Sequence, residues 1–138
     1  MASQIDTLIS DFELLDDWEE RYRYVIELGR SLPVMPDALK SPATKVNGCA
    51  SQVWIYSQVS GEHLQLQGDS DALIVKGLIA IAFMIFEPMS LLEIERVDAQ
   101  AIFAKLGLKD HLTPQRSNGL ASMVARIKTD ARVGLQPR

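Results

Sequence analysis

Gln52-Val53-Trp54-Ile55-Tyr56-Ser57-Gln58-Val59, Ser60-Gly61-Glu62 and His63-Leu64-Gln65-Leu66-Gln67 read in turn as strand, tight turn and strand. Val53, Ile55 and Val59 alternate against Trp54 and Tyr56, and β-branched and aromatic side chains suit a pleated, half-buried surface. His63, Gln65 and Gln67 alternate with Leu64 and Leu66, which gives the second strand one apolar and one polar face. The two strands predict an antiparallel hairpin.

Helical spacing takes over on both sides. Ile5, Leu8, Ile9 and Phe12 predict a short first helix. Asp16 or Asp17 caps a second, with Trp18, Tyr22, Val25 and Ile26 on one face and Pro33 and Pro36 ending it. Residues 37–47 are loop-like, with Pro42 inside and Lys45 near the end. After the hairpin, Asp69 or Ser70 caps a helix through Phe86 that is apolar on nearly every side and so belongs in the core. Pro88 stops it. Shorter helices follow over Leu91 to Glu95 and Ala99 to Leu106, the latter ended by Gly107. Thr113-Pro114 starts the last helix, a cap followed by proline in the first turn. Leu120, Met123, Val124 and Ile127 form its apolar face, and Gly134 closes it. Two helices, a hairpin and several more helices predict an α+β fold, a small antiparallel sheet with helices packed on one face.

The 138 residues fit one domain, 1–138, long enough to bury a substantial core. With 47% apolar and 23% charged residues the composition is that of an ordinary globule. The net charge is -4 and the basic residues are scattered, so no stripe for phosphates exists and nucleic acid is not an expected partner. The most apolar stretch, Gly77 to Phe86, is about half of a membrane span and is bracketed by Lys76 and Glu87, so no membrane contact is expected. Met1-Ala2-Ser3-Gln4-Ile5-Asp6 has no basic start and no apolar run, and does not read as a secretory signal.

Cys49 is the only cysteine. It cannot form an internal disulfide, and an unpaired thiol fits a reducing compartment, here the cytoplasm. The bland reading is a small buried hydrophobe. Against it stands the setting, a polar turn Asn47-Gly48-Cys49-Ala50-Ser51-Gln52 at the entrance to a strand, where reactive groups tend to sit. His63 and His111 are far apart in sequence and show no metal spacing; a Cys–His pair stays open, because spacing does not reveal spatial neighbours.

Three stretches resemble one family. Val46-Asn47-Gly48-Cys49-Ala50-Ser51-Gln52-Val53-Trp54 resembles the sulfur-acceptor motif of the SufE family, the cysteine desulfuration proteins. Gly68-Asp69-Ser70-Asp71 with Ile74-Val75-Lys76-Gly77-Leu78 is similar to that family's central helix start. His111-Leu112-Thr113-Pro114-Gln115-Arg116-Ser117-Asn118-Gly119-Leu120 is similar to its last-helix start. Trp18-Glu19-Glu20-Arg21-Tyr22 and Leu28-Gly29-Arg30 also fit, so the resemblance runs from about Phe12 to Ala131.

The resemblance implies a fold like that of the IscU-type scaffolds and a sulfur carrier that needs neither metal nor cofactor of its own. It implies a pyridoxal-phosphate cysteine desulfurase of the SufS type (or the paralogous CsdA type) as partner. The carrier would take persulfide sulfur onto Cys49, stimulate that enzyme and pass sulfur to iron–sulfur assembly proteins. The chemistry is thiolate attack on the outer sulfur of a persulfide. Lys45 is the nearest cation in sequence that would favour the thiolate. Gly48, Ser51, Gln52, Asp71 and Arg116 are the candidates for supporting the acceptor loop or binding the partner. An Arg116–Asp71 salt bridge is the structural alternative for that pair; on physical grounds Asp69 and Asp71 read mainly as helix-start residues, with acceptor-loop contact as their alternative. Trp54 and Tyr56 are expected to pack on the sheet, and Lys76 to reach out of a buried helix. A competing function is an allosteric activator of the desulfurase that carries no sulfur.

Overall fold

The hairpin takes the register its alternation predicts. In the computed structural model, which describes residues 4–136, β1 (Val53–Ser60) and β2 (His63–Ser70) pair antiparallel, from Val53 opposite Ser70 to Ser60 opposite His63. Val53, Ile55, Leu64 and Leu66 are buried on one face. Trp54, Tyr56 and Gln58 share the other with Asp69, Gln67 and Gln65. Residues 1–3 and 137–138 of the expected domain lie outside the described residues, and with them the beginning of the stretch read as lacking a secretory signal.

The helices are α1 (Gln4–Leu14), α2 (Trp18–Arg30), α3 (Leu73–Phe86), α4 (Leu91–Arg96), α5 (Ala99–Lys105), α6 (Leu108–His111) and α7 (Pro114–Leu135). Packing follows from composition. α3 buries 11 of its 14 residues, and each fully buried large apolar side chain stabilises the fold by roughly 1.5–3 kcal/mol. It lies against β2, with α2 on its other side, while α7 lies against β1 and carries α4. The α2–α3 crossing is close because both helices present glycine there. A Cβ at Gly77 would sit 2.1 Å from the Val25 carbonyl oxygen, and one at Gly29 2.6 Å from the Gly77 nitrogen.

Several boundaries stand where local chemistry puts them. The Asp17 carboxylate accepts from the Glu19 N–H, and the Thr113 hydroxyl from the Arg116 N–H, so both expected caps form. Ser90 and Glu93 add a reciprocal capping box at α4. α6 and the 3-10 turn Asp37–Leu39 are too short to carry a periodic signal.

The start of α3 differs from expectation. β2 runs on to Ser70, and α3 begins at Leu73 behind Ala72, which offers no side-chain cap. Asp69 cannot cap because Lys40 Nζ (2.7 Å) and Lys76 Nζ (3.4 Å) hold its carboxylate. Burial pushes the Asp69 pKa up, but the Lys40 hydrogen bond, the Ser70 N–H and the two lysine charges outweigh it and hold the group below the usual carboxylate range. Ser70 faces the core, and its hydroxyl accepts from the Ala72 N–H. Lys76 thus ends in an ion pair rather than simply reaching outward. Gly134 does not close α7, which continues to Leu135. A Cβ there would lie 2.8 Å from Val59 Cγ2, so this glycine serves the close approach of helix to strand.

Candidate functional site

Asn47 and Gly48 turn the chain between the stem at Val46 and the first residue of β1. Gly48 has φ +89°, a region open to glycine and costly for other residues. Two contacts close the loop at its base. The Val46 N–H donates to the Val53 carbonyl (2.8 Å), and the Gln52 N–H donates to Asp71 Oδ1 (3.1 Å). Asp71 sits just past β2, where its carboxylate ties down the entrance of β1, so it neither starts a helix nor pairs with Arg116.

The loop lays Cys49 on α7. The thiol is half-buried and donates to the Gly119 carbonyl at 3.6 Å. A Cβ on Gly119 would lie 3.5 Å from Sγ, and one on Gly48 would lie 2.6 Å from Ser122 Oγ. Beside the sulfur is a cavity of about 210 Å³ lined by Val75 and Leu78 of α3, by Met123 of α7, and by Ser51, Thr113 and Arg116 at more polar points. Arg116 is exposed and makes no ion pair among the described residues.

Of the expected residues, Ser51 and Arg116 therefore meet Cys49 at one cavity, Gly48 shapes the turn, and Gln52 and Asp71 hold the loop base without lining the cavity. Lys45 does not line the cavity. Its backbone pairs antiparallel with that of Trp54, whose ring carries Lys40 Nζ 5.3 Å from its centroid. Neither histidine reaches the cavity. His63 Nδ1 pairs with the Met89 carbonyl (2.9 Å), and His111 stacks on Trp18. The Cys–His alternative thus has no geometric support. Among the described residues, no group of three or more His, Cys, Asp or Glu side chains is placed to hold a metal ion.

The reading from sequence missed Gly119, Ser122 and the apolar floor. A signal was there: Arg116, Gly119 and Met123 follow helical spacing, as do Val75 and Leu78. Only the fold reveals that these two stripes face the same loop.

Burial alone pushes the Cys49 thiol above its ordinary pKa. The resting site therefore holds a protonated thiol near neutral pH. Because the folded pKa exceeds the unfolded one, this group's contribution to stability is complete below the unfolded value and is lost as pH rises through the folded value. The rate of iodoacetamide alkylation of the free protein should therefore keep rising with pH beyond the point where a cysteine peptide levels off. A plateau at or below the peptide's would refute the buried-thiol geometry.

Residues 6–131 match the sequence model of the family described as "SufE: Fe-S metabolism associated domain". An uncharacterized SufE-like protein of Rhizobium meliloti (strain 1021) is 50% identical over 133 residues, covering 94% of this chain and 95% of the relative. One from Rhizobium etli is 50% identical over 137 residues, covering 96% and 92%. In fold, the chain is similar to the solution structure of a hypothetical protein from Thermus thermophilus, with TM-score 0.77 and 21% identity over 95% of each chain. Among the described residues, no helix is long and apolar enough to cross a membrane.

Proposed function

Since the chain belongs to the SufE family, whose domain is associated with Fe–S metabolism, we propose that Cys49 accepts persulfide sulfur from a SufS-type or CsdA-type cysteine desulfurase. The observation that carries this reading is a single thiol on a closed polar loop, resting beside a cavity with space next to its sulfur. In the transfer step, Cys49 Sγ loses its proton and attacks the outer sulfur of the enzyme persulfide. A new S–S bond forms on Cys49, the enzyme's S–S bond breaks, and its thiolate leaves with the electron pair. The chain acts as one sulfur-acceptor domain, 1–138, in the cytoplasm, and hands sulfur on to iron–sulfur assembly.

Each supporting residue has a task in this reading. Gly48 allows the turn, and Gln52 with Asp71 keeps the loop base closed. Ser51 and the exposed guanidinium of Arg116 meet the incoming partner at the cavity rim, where a planar donor suits carboxylate or backbone acceptors. Burial shields the sulfur between encounters, since an exposed persulfide is readily oxidised or reduced.

One observation favours a second reading. Burial pushes the resting thiol toward its protonated form, which would suit an activator that docks on the desulfurase without taking sulfur. Intact-protein mass spectrometry after incubation with a desulfurase and cysteine, without reductant, separates the two. A mass gain of one sulfur atom supports the carrier; no gain alongside full stimulation of the enzyme supports the activator.

A further inference from the structure

Four residues of α7 fall on one stripe at successive spacings of three, four and four: Gly119, Ser122, Arg126 and Asp130. The first two carry the loop tip, under Cys49 and Gly48. Arg126 reaches the stem, donating from Nη2 to the Ala43 carbonyl (2.8 Å). Its Nε donates to both oxygens of Asp130 (3.1 and 3.2 Å). Asp130 Oδ2 in turn accepts from the Ser57 hydroxyl of β1 (2.5 Å). Both side chains of the ion pair are mostly covered, 27% and 20% exposed, so it is less screened than a surface pair.

From this chain of contacts we propose that Arg126 is a positioning residue for the acceptor loop. It fixes the height of the loop stem above α7, and so decides whether Cys49 rests in its seat or lifts out. The proposal rests on Cys49 being the sulfur acceptor, but the geometry argues for it independently. On the β1 side the stem is already fixed: Thr44 is buried, its carbonyl accepts from the Ile55 N–H (2.8 Å), and Val46 bonds Val53. On the α7 side, Arg126 supplies the stem's hydrogen bond. Ala43 lies six residues before Cys49, so a shift at the stem is carried to the tip through a short, locally bonded segment.

The role requires arginine's shape as well as its charge. Nε must stay on Asp130 while Nη2 reaches Ala43, and only a planar guanidinium presents two donors in that fixed fork. Asp130 orients the guanidinium, and Ser57 orients Asp130, so the stem is registered against helix and strand together.

The test is the rate at which Cys49 in the free protein is alkylated by iodoacetamide, measured beside the melting temperature. Arg126→Met should raise the rate about fivefold, the factor that one lost hydrogen bond confers on a local opening equilibrium. Arg126→Lys should behave like Arg126→Met, because lysine cannot span both acceptors. Arg132→Met, on the same helix, breaks a pair with Glu95 of α4 instead and should leave the rate unchanged. An unchanged rate in folded Arg126→Met, or full rescue by lysine, overturns the proposal. Should Arg126→Met fail to fold, Asp130→Asn loosens the same fork at constant volume, and an unchanged rate there is equally decisive. Loading of the wild type with sulfur is scored separately, so a wrong acceptor assignment and a wrong positioning role give different results.

Discussion

Cys49→Ser should accept no sulfur at all while the protein keeps its fold. The substitution is small, one oxygen for one sulfur at a half-buried position beside the cavity. Melting should therefore stay close to wild type, within the range of about 0.5 kcal/mol usual for substitutions that break no packing or buried polar contact. A hydroxyl, however, cannot hold a persulfide, so the mass gain of one sulfur atom should disappear completely. Stimulation of the desulfurase should collapse with it if turnover is limited by removal of the enzyme's persulfide. Undiminished stimulation by the serine variant would sink the carrier reading and leave the activator. The variant must be shown to bind the enzyme, so that loss of chemistry is not confused with loss of docking.

Gly77→Ala should cost more stability than a methyl added at any other described glycine, about 3 kcal/mol or more. The new Cβ would lie 2.1 Å from the Val25 carbonyl oxygen and 2.5 Å from Val25 Cγ1. Helix backbone cannot step aside as a side-chain tip can, so α2 must be pushed off α3, uncovering apolar surface over the length of the crossing. A drop in melting temperature of roughly 10 °C is expected for a domain of this size. Gly61→Ala supplies the contrast. Nothing lies within 4 Å of its Cβ and only its φ of +62° opposes the change, so it should cost about 1–2 kcal/mol. Equal melting temperatures for the two variants would mean that the crossing yields more readily than its geometry says.

How far the sequence spoke depended on the range of the interaction. The hairpin was legible because Val53, Ile55, Leu64 and Leu66 alternate within a few residues of one turn. The caps at Asp17 and Thr113 were legible for the same reason, since donor and acceptor are near neighbours in the chain. Asp69 and Ser70 carried the same local signal and misled: a cap residue before an apolar run is indistinguishable in sequence from a strand end whose carboxylate belongs to Lys40 and Lys76. Gly134 likewise looks like a helix stop until Val59 is known to lie against it. At the site, Cys49 and its turn announced themselves through composition and family resemblance. Its seat did not, because Gly119 lies 70 residues away and a backbone carbonyl leaves no mark on residue identity. The Arg116–Asp71 pair was a reasonable match of charges, but Asp71 is occupied by the Gln52 N–H.

The hydrogen bond between Val46 and Val53 sets a leash. Cys49 lies three residues beyond one anchor and four before the other, and a fully extended chain covers at most about 3.3–3.6 Å per residue. With that bond intact, the Cys49 backbone can travel no more than about 10 Å from the Val46 anchor. In the proposed transfer the sulfur is therefore delivered by contact rather than by a swinging arm. Any donor or recipient must bring its own sulfur atom almost to the surface of this protein. Lengthening the leash with a few glycines on either side of Cys49 would trade that intimacy for reach.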